Sequence, residues 1–188
     1  MEKCLKTIVF TKEKIFYSGK ELSPHWIYRN FDLIGDAIVS FVGGADVSLD
    51  HMVDLEDVKN KAPISGSEML HFIGEWFIDS LEQGILLQHL FVCQVYESLL
   101  ERSIPTLTRR GNDIYFEERK LSVSIATKSP ISILMHFGIN IKTEGTPILT
   151  AGLNELHVDP LVLASEVLKK MERDALIWKR ARVKVTAR

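Results

Sequence analysis

Apolar residues along this chain recur sometimes at every second position and sometimes at every third or fourth, and the switches between these periods mark out its elements. Leu5 to Phe10 and Lys14 to Tyr17 carry strand composition and predict a hairpin leaving at Gly19. Ser23-Pro24 supplies an N-cap followed by a proline at the first helical position, predicting a helix to about Leu33 that Gly35 stops. Ala37 to Gly43 reads as a strand and Gly43-Gly44 as a turn. From Asp46 to Ser67 the periodicity lapses. The segment is acidic first, then basic at Lys59 and Lys61, and ends in Pro63-Ile64-Ser65-Gly66-Ser67, the composition of a functional loop.

Met69 to Phe77 alternates as a strand. Ser80 and Gln83 then make a capping-box pattern ahead of a long helix, with Leu81, Ile85, Val92, Val95 and Leu99 at helical spacing until Pro105. Two short strands follow, Ile114 to Phe116 and Lys120 to Ile125, and a third runs from Ile131 to Ile141. Asp159-Pro160 caps a last helix whose core stripe is Leu161, Ala164, Leu168, Met171, Ala175 and Trp178. The economical architecture is α+β: a single mixed, mainly antiparallel sheet with helices packed on one side. Residues 1–188 read as one domain with a basic C-terminal tail, since no linker, repeat or low-complexity tract interrupts them.

Composition narrows the function classes. With 188 residues, 46% hydrophobic and 26% charged, the chain can bury an ordinary core unaided by disulfides or metals. A net charge of -2 gives no global attraction for nucleic acid or anionic lipid, although Lys179, Arg180, Arg182, Lys184 and Arg188 make the tail basic. These cations suit a helix C-terminus. Cys4 and Cys93 form no metal or disulfide signature, and no apolar run approaches 18 residues, so a reducing cytoplasm is expected and membrane spanning is not.

The candidate chemistry sits on the hairpin Arg109-Arg110-Gly111-Asn112-Asp113 to Ser124. Alternation puts Lys120, Ser122 and Ser124 on one face and Leu121, Val123 and Ile125 on the other. A lysine at the head of a polar face, beside an Asn-Asp corner, suits an anion or a carbonyl. Asn112-Asp113, Lys120-Leu121-Ser122 and Gly138-Ile139-Asn140-Ile141, in that order, resemble the catalytic hairpin of the biotin and lipoate protein ligases. The order of elements along most of the chain is similar too. It resembles a compact, functionally uncharacterised family within the superfamily of these ligases and the class II aminoacyl-tRNA synthetases.

That resemblance implies ATP-dependent activation of a carboxylic acid as an acyl-adenylate, followed by transfer to an acceptor. Lys120 would bridge the carboxylate and the α-phosphate, and Asp113 would orient the nucleotide or hold Mg²⁺. Asn112, Arg109, Arg110, Ser122, Gly138 and Asn140 would bind ligand, and the Lys59 to Ser67 loop, through Ser65, Gly66 and Ser67, would cradle phosphate. Two features depart from the family pattern. The Arg- and Gly-rich nucleotide loop is missing, and Val123 stands where glycine is usual, which implies a smaller or more polar acid. The expected partners are a small carboxylic acid or a nucleotide, with homodimerisation open and neither nucleic acid nor membrane among them.

Other residues fit blander roles. His51, Asp54, Glu56 and Asp57 read as solvated loop residues before metal ligands. His71 and His136 read as satisfied half-buried histidines before catalytic bases. Phe72, Trp76 and Phe77 read as core. Three functions stay open: an adenylate-forming ligase, a binding protein of the same fold, and an assembly module using the basic tail.

Overall fold

The computed structural model describes residues 3–61, 64–144 and 148–186. In chain order the elements are β1 (Lys6–Val9), α1 (Trp26–Phe31), β2 (Ala37–Val47), a 3-10 turn (Leu49–His51), α2 (Leu55–Asn60), β3 (Ile64–Trp76), α3 (Leu81–Leu100), β4 (Leu107–Arg110), β5 (Asp113–Phe116), β6 (Arg119–Lys120), β7 (Ser122–Lys128), β8 (Ile133–Asn140) and α4 (Pro160–Lys184). The main sheet has five strands in the order β1-β2-β3-β8-β7. Among the described strands of this sheet only β1 and β2 run parallel. The expected α+β class with a mainly antiparallel sheet therefore holds.

Both faces of this sheet are covered, which is why its central strands are apolar at nearly every position. Ile38, Leu70, Phe72, Met135, Phe137 and Ile139 pack against Phe91, Val92, Val95 and Leu99 of α3 and Leu163, Val167, Leu168 and Met171 of α4. Val39, Phe41, Met69 and Ile73 meet Tyr17, Ile27 and Trp26 on the other face. The long helices thus lie on one side as expected, while short α1 packs on the other. Two of the three caps read from the sequence are present: Ser80 Oγ accepts from the Gln83 amide, and the Asp159 carboxylate accepts from Leu161 and Val162 ahead of Pro160. The last helical stripe holds except at Leu161, which is 39% exposed. In α3, Leu81 and Ile85 are exposed, because Gly84 turns the helix's first turns toward the sheet and has no room for a Cβ against Ile133.

Several expectations are corrected. Leu5 to Tyr17 is no hairpin: β1 pairs with β2, and residues 15–17 bond further along the same strand, through Ile15 N to Val42 O and Tyr17 N to Gly44 O. Ser23-Pro24 does not open α1. His25 adopts φ 60 with its amide bound to the buried Glu75 carboxylate, so the helix starts at Trp26, and it ends at Asp32 in left-handed conformation before reaching Leu33. Gly43-Gly44 makes a register shift inside β2 instead of a turn.

The Asp46 to Ser67 segment is mostly structured. β2 continues to Val47, Asp54 caps α2, and Ser65, Gly66 and Ser67 belong to β3, where Ser65 pairs with Asp46 and Gly66 with Ala45. Ala62 and Pro63 of that expectation lie outside the described residues, as does Arg188 of the tail. The sheet is also not single. β4, β5 and β6 form a separate three-stranded sheet.

Leu121 joins the two sheets. Its amide donates to Ile114 O and its carbonyl accepts from Asn140 N. Passing through this joint breaks the expected alternation: Leu121 enters the helix-side core, Ser122 Oγ accepts from the Ile114 amide, and Ser124 Oγ accepts from Gln88 of α3. Val123 and Ile125 take the opposite face, opposite Gly138 and His136.

Candidate functional site

On the face away from α3 the protein has a cleft of about 190 Å³. Its floor is Val123, Ile125 and His136, and Tyr17 and Leu22 close one side. Val47, His51, Met52, Val53, Asp54, Asp57 and Ile64 close another, and Asn112, Asp113 and Lys120 come from the small sheet. Such a volume falls short of the several hundred Å³ typical of pockets for drug-sized ligands.

Lys120 and Asp113 meet here. Lys120 pairs with Tyr115 across β5 and β6, so Asp113, two residues along on the same face, is its diagonal neighbour. Lys120 Nζ lies 2.8 Å from Asp113 Oδ2, with both side chains about three-quarters buried. Asn112 is fixed at the corner: its Nδ2 donates to Ser124 O, and Ser124 Oγ donates to Asn112 O, both at 3.0 Å. The Asn-Asp-Lys group read from the sequence therefore converges on one cleft.

The other candidates do not. Ser122 is buried beneath β5, as its hydrogen bond to Ile114 requires. Arg110 is exposed, paired with Glu118 at 2.7 Å and stacked over Tyr115, and Arg109 donates to Gly111 O. Asn140 Nδ2 donates to Ala151 O at 3.2 Å, tying β8 to the segment beyond it. Gly138 is overlain by Met69 and His136, with no open approach to its backbone. Ser65, Gly66 and Ser67 are strand residues away from the cleft wall, so they form no phosphate cradle.

The sequence reading missed what the 47–64 segment does bring. The acidic first half reaches the cleft, not the lysines after it. Asp54 Oδ1 accepts from the amides of Glu56 and Asp57, which sets Asp57 on the first turn of α2 facing Lys120 and Asp113. Burial raises the Asp57 pKa, and Asp54 and Asp113 add to the rise while Lys120 opposes it. An Asp followed by two acidic residues is itself a helix-start signal. Among the described residues no cluster suited to a metal ion is present.

His71 and His136 are fully buried, not half-buried. His71 Nδ1 lies 3.1 Å from His136 Nε2, His71 Nε2 lies 3.3 Å from Gly43 O, and the Tyr17 ring stacks on His136 at 3.8 Å. Burial lowers the His71 pKa to about 4, and burial with the neighbouring imidazole holds His136 well below its ordinary value. At His71 the unfolded chain takes up the proton below about pH 6.5, while the native chain resists until near pH 4. The stability is therefore complete above pH 6.5 and lost as pH falls toward 4. Urea melts at pH 7.5 and 4.5 should differ by roughly 3 kcal/mol from His71 alone, at about 1.4 kcal/mol per pH unit, with His136 adding in the same sense. Equal stability at the two values would show that the pair is not buried neutral.

The comparisons with known proteins agree with this architecture. A solved protein of unknown function from Pyrococcus horikoshi superposes with a TM-score of 0.90 at 36% identity, covering 98% of this chain and 99% of that one. The uncharacterized protein MJ0805 of Methanocaldococcus jannaschii is 34% identical over 182 residues, 89% of this chain and 82% of its own length. The biotin protein ligase of Aquifex aeolicus, solved with biotin and ATP, superposes with a TM-score of 0.58 at 20% identity, over 93% of this chain and 72% of the ligase. The biotin ligase fold expected from the hairpin motif is thus the fold of this chain. No helix among the described residues is long and apolar enough to cross a membrane. Residues 6–186 match the family described as Domain of unknown function (DUF366), and the chain belongs to that family.

Proposed function

We propose that the protein is an ATP-dependent ligase that activates a small carboxylic acid as an acyl-adenylate. The observation that carries this reading is Lys120, held by Asp113 in a small cleft of a biotin ligase fold, on a hairpin that resembles the catalytic hairpin of the biotin and lipoate protein ligases. A carboxylate oxygen would attack the α-phosphorus of ATP, forming the mixed anhydride and expelling pyrophosphate. The Lys120 ammonium would release Asp113 and neutralise charge growing on the carboxylate and α-phosphoryl oxygens. The cleft suits the acid alone, with the nucleotide at its mouth. Val123 on the floor shortens it, in keeping with a smaller acid than biotin.

Magnesium enters such sites through one or two carboxylates and the substrate's own phosphates, so a site of this kind needs no three-ligand cluster, and none is present among the described residues. Asp113 would hold the ion, which would screen the triphosphate charge. Arg109 and Arg110 would reach phosphate only after leaving Gly111 and Glu118. In this reading residues 1–188 act as one catalytic unit in the cytoplasm, with both cysteines free.

A second reading, a protein that binds a small acid or nucleotide without activating it, is favoured by the strand conformation of Ser65-Gly66-Ser67. ATP–pyrophosphate exchange across a panel of small carboxylic acids separates the two. Acid-dependent exchange is the expected result, and binding without any exchange would put the second reading in its place.

A further inference from the structure

The histidine pair carries direction as well as burial. Gly43 offers only a carbonyl oxygen to His71 Nε2, so that nitrogen bears the proton. A neutral imidazole has one N–H, which leaves His71 Nδ1 as an acceptor. The hydrogen at the 3.1 Å His71–His136 contact must then belong to His136 Nε2. By the same rule His136 Nδ1 holds a lone pair. His136 forms part of the cleft floor while being 2% exposed, and Tyr17 stacked on its ring fixes the orientation. A backbone carbonyl on β2 thus sets the hydrogen-bonding sense of a residue in the cleft wall.

The remaining polar wall has the same sense. Three carboxylates, Asp54, Asp57 and Asp113, line the cleft against one lysine, and Lys120 is already paired with Asp113. Among the described residues no cation stands within ion-pair distance of Asp54 or Asp57. Asn112 spends an amide hydrogen on Ser124 O. The cleft is therefore rich in acceptors and short of cations, and a ligand that enters it is best matched by bringing donors and positive charge.

We infer that His136 Nδ1 is a ligand-facing hydrogen-bond acceptor and that the acid taken by this cleft also carries a protonated amine, read by His136 and Asp57 while its carboxylate meets Lys120. This deepens the reading proposed above by naming the substrate class. The test uses no nucleotide, so its failure leaves the exchange assay standing, and the reverse also holds.

Long-range ¹H–¹⁵N correlation spectra of the imidazoles in the wild-type protein at pH 7 should show both His71 and His136 as neutral tautomers protonated at Nε2. A proton on His136 Nδ1, or an imidazolium at either residue, would overturn the relay, and because the spectrum is read on the unaltered chain no folding defect can mimic that result. Calorimetric titration with amino acids of two to five carbons, each against the same acid lacking the amine, should give at least tenfold tighter binding for an amine-bearing member. Its binding should shift the His136 Nδ1 resonance, and Asp57→Asn should remove the preference. Absence of any amine preference across the series, or binding that leaves the His136 Nδ1 resonance unmoved, would overturn the assignment of the substrate class.

Discussion

Lys120→Ala should reduce acid-dependent ATP–pyrophosphate exchange by on the order of 10²–10³-fold, the effect of losing one preorganised charge-stabilising donor. The fold should register the change far less. Lys120 is partly exposed and its partner Asp113 remains reachable by water, so the lost pair costs about 1 kcal/mol or less. Substitution by alanine also leaves Asp113 near Asp57 and Asp54 with their opposing charge gone, so carboxylate binding should weaken together with the chemistry. Lys120→Arg should not restore the rate. A planar guanidinium finds its natural bidentate partner in Asp113 and cannot place one compact charge between a carboxylate and a phosphate. Equal exchange by wild type and both variants would remove Lys120 from the mechanism.

What the sequence revealed and what it hid follow from the range of the interactions. Asn112, Asp113 and Lys120 were legible because eight residues and one tight turn bring them together, so local spacing nearly fixes the geometry. The caps at Ser80 and Asp159 were legible for the same reason. The faces of Ser122 to Ile125 were not. A single residue, Leu121, lies between two strands that belong to different sheets, and a one-residue offset sends every following side chain to the other face. Ser65-Gly66-Ser67 looked like a phosphate loop because small residues compose both loops and the glycine-tolerant ends of strands. Its partner in the sheet, Ala45 to Asp46, lies some twenty residues away, beyond anything local pattern records.

Asp54 and Asp57 were hidden for a different reason. An acidic stretch on a solvated helix and one lining a cleft have the same composition, and only the joining of the small sheet to the main one at Leu121, far along the chain from residues 54–57, puts Lys120 in front of them. The histidines were read as satisfied half-buried groups, whereas both are fully buried, and the reading did not make them partners. His71 and His136 are 65 residues apart, and their pairing depends on the register that sets His71 against Gly138 on the neighbouring strand. Their relay begins at the Gly43 carbonyl, a residue whose pattern suggested only a turn.

Gly43 is accordingly where the largest stability effect is expected. Its backbone is ordinary for a strand, so the demand there is for space and not for an unusual dihedral angle. The 15–17 segment crosses it, fastened by Ile15 N to Val42 O at 3.1 Å and Tyr17 N to Gly44 O at 2.9 Å, and a Cβ would overlap the Ile15 carbonyl. A backbone atom cannot swing aside as a flexible side-chain end does. Gly43→Ala must therefore lift the segment, which breaks those two bonds, draws Tyr17 off His136 and opens the cleft wall. The expected loss is on the order of 4 kcal/mol, at the severe end for one methyl group, seen as a lower urea midpoint. Gly111→Ala is the control. It has φ +63 but nothing within 4 Å of the added carbon, so only left-handed strain of about 1–2 kcal/mol applies. If Gly43→Ala proves no worse than Gly111→Ala, the 15–17 segment is not packed on β2 in solution, and the Tyr17 stack that orients His136 goes with it.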